Sequence, residues 1–115
     1  KDVKFFLKNK VKHDVVNVPG IFEIPVVISK NINKYDGFIA LGCVIKGETP
    51  HFDFISKATT EAIMKLSIDS KKPIGNGILT CLNYKQAKNR SMKKREKEGK
   101  GIEAARALIE VLNNF

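Results

Sequence analysis

The stretch Gly42–Phe54, GCVIKGETPHFDF, constrains this chain more than any other, because there an apolar run ends in glycine, a short charged turn and then Thr-Pro-His. Ala40, Leu41, Cys43, Val44 and Ile45 read as a buried strand. Thr49 can cap a helix through its hydroxyl, and Pro50 suits a first helical position, where its missing N–H would have had no partner anyway. His51 then falls in the first turn. Unpaired amides and the positive end of the helix dipole make such a start a place for phosphate or another anion, with a titratable imidazole beside it.

The remaining segments alternate in the same way. Val3, Phe6, Leu7 and Val11 fall at helical spacing among lysines and predict the tail of an amphipathic helix. Asp14–Val18 is a β-branched run halted by Pro19-Gly20, which predicts a strand and a sharp turn. Residues 21–32 predict a helix with Pro25 in its opening turns, where Phe22, Val26 and Ile28 would cover a sheet. Tyr35-Asp36-Gly37 turns the chain into the strand Phe38–Ile45. Beyond Thr-Pro-His, Ile55, Ala58, Thr59, Ala62, Ile63 and Leu66 mark one stripe of a helix ending near Asp69. Pro73–Cys81 is the next strand, and Gly75-Asn76-Gly77 within it marks either a bulge or a place where a ligand ring can approach. Tyr84–Arg90 starts a further helix, a charged run follows, and Ile102, Ala105, Ile109 and Leu112 mark a closing helix after Gly99 and Gly101.

This order calls for an α/β fold, a three-layer sandwich with a parallel sheet, right-handed crossovers and helices on both faces. Ligands in such sheets bind beyond the carboxyl ends of the strands. Those ends are Val18-Pro19-Gly20, Ile45-Lys46-Gly47 and Thr80, so the Thr-Pro-His junction lies on the expected rim.

Length and composition bound the class. The 115 residues suit one domain, 1–115, and 43% apolar with 29% charged residues describes a folded globular chain. No apolar run reaches the roughly 18 residues of a membrane span, no signal-peptide pattern opens the chain, and a cytoplasmic location is the default. The net charge of +9 fits nucleic acid, a phosphorylated metabolite, an acidic partner surface or simply a solvated lysine-rich face. Cys43 and Cys81 both lie in apolar segments and read as small buried hydrophobes rather than a disulfide or metal pair.

VPGIFEIP, ALGCVIKGETPHFDF, PIGNGILT and Asn89-Arg90 followed by a Gly-Lys-Gly helix start, in this order and spacing, resemble the lumazine synthase family of riboflavin biosynthesis. The likeness runs from about Val3 to the C-terminus. It implies a flavodoxin-like fold and the condensation of 5-amino-6-(D-ribitylamino)uracil with 3,4-dihydroxy-2-butanone 4-phosphate. The products would be 6,7-dimethyl-8-ribityllumazine, phosphate and water. No metal or organic cofactor, nucleic acid or membrane is implied. Partners would be the small-molecule substrates and further copies of the chain, as a homopentamer or a 60-subunit shell of pentamers, with active sites between subunits.

Carried over motif by motif, Ile21, Phe22 and Glu23 would hold the ribityl chain and adjacent groups. Cys43, Val44 and Ile45 would present main-chain groups to the pyrimidine edge. Glu48 and Thr49 match the region receiving the phosphorylated ketone, and His51 the proton-transfer residue. Asn76 of a neighbouring subunit would line the pyrimidine pocket. Arg90 would be the main phosphate ligand through its charged fork, with Lys100 the second choice.

The family begins with a strand and an aromatic residue that stacks on the pyrimidine, whereas this chain starts with a lysine inside the next helix. The resemblance therefore implies a first strand missing from this sequence, and about 35 to 45 preceding residues at ordinary element lengths. That strand would lie between Asp14–Val18 and Phe38–Ile45. Ser91–Glu98 is also slightly longer than the family's loop. Two other functions stay open at this level: a noncatalytic basic RNA-binding module using Lys85–Lys100, and a catalytically silent shell-forming relative.

Overall fold

The computed structural model describes residues 2–45, 51–81, 85 and 99–115. Gly37 leads into strand β1, Phe38–Ile45, and Lys72-Pro73 into β2, Ile74–Cys81. The two strands pair in parallel, with Phe38 opposite Ile74, Leu41 opposite Gly77 and Ile45 opposite Cys81. Successive side chains leave opposite faces of a sheet, so this register divides the residues into two sets.

Phe38, Ala40, Ile74 and Ile78 lie on one face, against helix α2, Ile24–Asn31, and helix α3, His51–Ser70. Ile24, Ile28, Ala40 and Ile63 form the buried centre of this layer. Gly75, Gly77, Leu79 and Cys81 lie on the other face, beneath helix α4, Lys100–Asn114. Ile102, Ala104, Ala105 and Leu108 are its buried residues. Helix α1, Asp2–Leu7, packs on α4 with Val3 over Gly101 and Leu7 buried. The arrangement is the expected α/β sandwich, helices on both faces of a parallel sheet.

The glycines of β2 have a specific use. A Cβ on Gly75 would meet the main-chain oxygen of Ala104, and one on Gly77 would lie 3.4 Å from Gly101 Cα. They let α4 descend onto the strand, so Gly75-Asn76-Gly77 is a helix-packing surface and not a bulge.

Several expectations need correction. Asp14–Val18 belongs to no ladder, and the described sheet contains β1 and β2 alone. A β-branched run becomes a strand only where a neighbour accepts its hydrogen bonds. Asp14 is fixed instead by Tyr35, whose hydroxyl donates to Oδ2 at 2.8 Å, while Val18 packs on the core. The 21–32 helix opens as a 3-10 turn, Ile21–Glu23, before α2 begins. Pro25 sits in the first α-turn as anticipated, but Phe22 and Val26 are 59% and 53% exposed, and Ile24 with Ile28 covers the sheet. Cys81 is buried, whereas Cys43 is exposed because α4 lies mainly over β2. Except for Lys85, which is helical, Tyr84–Arg90 lies outside the described residues.

Candidate active site

The site begins with a contact between two segments distant in sequence. Pro19-Gly20 turns the chain into Ile21–Glu23, where the Glu23 amide donates to Gly20 O at 3.2 Å. The Ile21 side chain then lies directly on Gly42 of β1, where a Cβ would come within 2.7 Å of Ile21 Cγ2. No larger residue fits between them unless the Ile21 side chain moves. One glycine thus joins the predicted ribityl-binding segment to the predicted pyrimidine-binding strand.

Glu23 closes the 3-10 turn and is the N-cap residue of α2, half-buried, with Oε1 folded back toward Gly20. Its charge lies at the positive end of that helix. Phe22 faces solvent. Val44 shares the α2 and α3 side of the sheet with Gly42, and Cys43 and Ile45 face the α4 side. One edge of β1 is occupied by the β2 ladder. Along the other edge no strand pairs among the described residues.

His51 is the first residue of α3 and is exposed. Helix α3 packs against both Ile21–Glu23 and β1, and in the chain its first residue, His51, comes six residues after the carboxyl end of β1. Asn76 does not join them within one chain. It pairs with Ala40, three residues short of Leu79, the partner of Cys43. Asn76 Oδ1 accepts a hydrogen bond from the Ile78 amide at 3.0 Å, which fixes the side chain and leaves its NH2 as the end able to meet a ligand. Lys100 opens α4 and is exposed. Glu48, Thr49 and Arg90 lie outside the described residues.

Two features escaped the sequence reading. Ser56 Oγ and Thr59 Oγ1, one turn apart on α3, are buried without a hydrogen-bond partner among the described residues. Thr59 appeared in the apolar stripe, but nothing in the spacing showed that its hydroxyl would be stranded. The second is the approach of the thiols. Burial pushes the Cys43 thiol above its ordinary pKa, and the nearby Cys81 thiol adds to the shift. Only the strand register could have revealed that contact. Among the described residues, no group of three or more His, Cys, Asp or Glu is placed to hold a metal ion.

Comparison with known proteins bears on the same residues. The family model for 6,7-dimethyl-8-ribityllumazine synthase matches residues 3–115. The 6,7-dimethyl-8-ribityllumazine synthase of Corynebacterium kroppenstedtii is 45% identical over 95 residues, covering 83% of this chain and 60% of the relative. That of Cutibacterium acnes is 44% identical over 102 residues, covering 87% and 61%. The Agrobacterium fabrum synthase is also 44% identical, over 107 residues, covering 87% and 71%. The chain thus spans about six-tenths of the length of the first two of these relatives. With the family pattern matched from Val3 to Phe115, across the Ile21–Gly42 contact and the start of α3, the chain belongs to the 6,7-dimethyl-8-ribityllumazine synthase family.

Proposed function

We propose that this chain provides the catalytic face of a lumazine synthase, condensing 5-amino-6-(D-ribitylamino)uracil with 3,4-dihydroxy-2-butanone 4-phosphate. The observation that carries the reading is the seating of Ile21 on Gly42, in a turn that packs against α3, within a family match that covers nearly the whole chain. Ile21, Phe22 and Glu23 hold the ribityl side, and main-chain groups of Cys43, Val44 and Ile45 at the strand end meet the pyrimidine. Glu48, Thr49 and the amides at the start of α3 receive the phosphorylated ketone.

Imine formation, loss of phosphate and ring closure each move a proton near neutral pH. An imidazole at the helix start is suited to accept and return it, and we assign that work to His51. Arg90 and Lys100 supply positive charge for the departing phosphate. Much of the acceleration comes from holding an aromatic diamine against a ketone with which it already reacts unaided.

The reading includes a homopentamer, alone or in a 60-subunit shell, in which Asn76 and Arg90 act on the site of a neighbouring copy. The distance of Asn76 along β2 from the partner of Cys43 supports this division. So do the exposed apolar side chains Phe22, Val26, Phe54, Met64 and Ile68, which a lone chain would leave in water. The single-domain reading and a cytoplasmic location belong to the same proposal. Among the described residues no helix is long and apolar enough to cross a membrane.

The test is to mix the purified protein with both substrates and follow the lumazine product optically against the uncatalysed reaction. Product formation above that background is expected. A rate equal to background in an assembled protein refutes the assignment.

A further inference from the structure

The parallel register brings the chain's two cysteines together on one face of the sheet. Cys43 pairs with Leu79 and Ile45 with Cys81, so Cys81 is the diagonal neighbour of Cys43, two residues further along β2. Both side chains leave the sheet toward the α4 layer. Their settings differ. Cys81 is 1% exposed and packs against Leu79, while Cys43 is open to solvent, and neither is in a disulfide. Desolvation raises the Cys43 thiol pKa, and the Cys81 thiol is near enough to add to that rise by charge and by hydrogen bonding. Attack by Cys43 is therefore slowed at neutral pH but not prevented.

We propose that Cys43 is a site of reversible thiol modification, with Cys81 as its resolving partner. The co-reactant is a small-molecule disulfide. The Cys43 thiolate attacks one of its sulfurs, forming a protein mixed disulfide and expelling one small thiolate. Cys81 then loses its proton and attacks Cys43 Sγ. The Cys43–Cys81 bond forms, the mixed disulfide breaks, and a second small thiol leaves. Two protein thiols are oxidised and one small disulfide is reduced to two thiols, with no other reagent needed.

The geometry sets the character of the bond. A strand spacing of about 4.8 Å and a two-residue offset of about 6.6 Å put diagonal Cα atoms roughly 8 Å apart. A disulfide prefers Cα atoms within about 7 Å, so closure draws the strand ends together and leaves the bond strained. Strained disulfides are readily reduced, which makes the modification reversible. It also acts behind Gly42 and Val44, on the opposite face of the strand that seats Ile21. An effect on turnover would rest on the proposed lumazine reaction, but formation of the bond does not.

Intact-mass spectrometry of the full chain, incubated with oxidised glutathione and then with dithiothreitol, tests the proposal. The expected course is a glutathione adduct at Cys43 that gives way to a monomer two hydrogens lighter than the reduced protein. Peptide mapping should place the link at Cys43–Cys81, and dithiothreitol should restore the starting mass. Cys81→Ser, or Cys81→Ala if serine disturbs the buried position, should stop at the adduct. The proposal is overturned if the parent chain also stops at the adduct, links only between chains, or stays unmodified while a cysteine peptide in the same tube reacts. The parent chain's masses decide the matter even if neither variant folds.

Discussion

Gly75→Ala is the substitution whose cost the structure specifies best. The added Cβ would fall on the carbonyl oxygen of Ala104, 3.0 Å from the Ala104 carbonyl carbon and 3.4 Å from its Cβ. The first two of these are main-chain atoms inside α4, so no side-chain rotation relieves the clash. The helix must lift or the strand must bow. Neighbouring contacts lie in the path, since Gly77 and Gly101 are also closely apposed across the same interface. Overpacking of this kind costs about 1–3 kcal/mol. Removing a glycine restricts the unfolded chain and returns about 0.4–1 kcal/mol. The balance is a loss of about 1–2 kcal/mol, a large part of a small domain's stability.

Gly20→Ala is the internal comparison. Its Cβ would meet only Glu23 Oε1, at an ordinary 3.5 Å, and its φ of −164° is open to any residue. Here the entropic gain is unopposed, and stability should stay level or rise by about 0.5 kcal/mol. Urea unfolding of both variants beside the parent, with the denaturant slope unchanged, measures the difference. A Gly75→Ala midpoint equal to the parent's, or an equal loss at Gly20, would show that main-chain contact with α4 is not what holds position 75 to glycine.

Other substitutions separate packing from chemistry. Gly42→Ala should push Ile21 off β1 and weaken substrate binding, seen as a rise in KM larger than any fall in kcat; an unchanged KM would break the link between that contact and the site. Thr59→Val removes a buried hydroxyl that has no partner among the described residues and should stabilise the fold by about 1 kcal/mol in urea unfolding, and a loss instead would mean the oxygen is hydrogen-bonded. His51→Ala should slow turnover about tenfold to a few hundredfold without abolishing it, because the two substrates condense unaided; complete loss in a correctly assembled variant would contradict this. Alkylation of Cys43 should show a pH–rate midpoint above that of a free cysteine peptide, since a raised pKa means less thiolate at any pH below it. A midpoint at or below the peptide's would reverse that sign.

What the sequence made legible was local or periodic. The strand Phe38–Ile45, the helix after Thr-Pro-His and the closing helix each carry an apolar pattern long enough to identify, and each is present with boundaries close to those expected. Asp14–Val18 failed because strand formation depends on a partner, which no run of valines can specify by itself. Phe22 and Val26 failed for a different reason: a 3-10 turn has about 3.0 residues per turn instead of 3.6, so opening with one rotates the buried stripe onto Ile24 and Ile28. Within the site, residue types and order came from the family resemblance. The contact that assembles them, Ile21 on Gly42, could not be read from spacing because its partners lie on separate elements.

The glycines show how one sheet can serve both architecture and chemistry. Gly42 is open on the side of Ile21, while Gly75 and Gly77 are open on the side of α4, and the register assigns them to opposite faces. Each face therefore gives up side-chain volume to a different neighbour, a binding turn on one and a structural helix on the other. Cys43 follows Gly42 in the strand, and its side chain lies on the α4 face beside Cys81. In the proposed reaction, where main-chain groups of Cys43 meet the pyrimidine, a change to its sulfur would be felt by that backbone even though the sulfur does not face the Ile21 turn. That separation of side chain from main chain is what would let one strand end serve both proposed roles, substrate binding and thiol response.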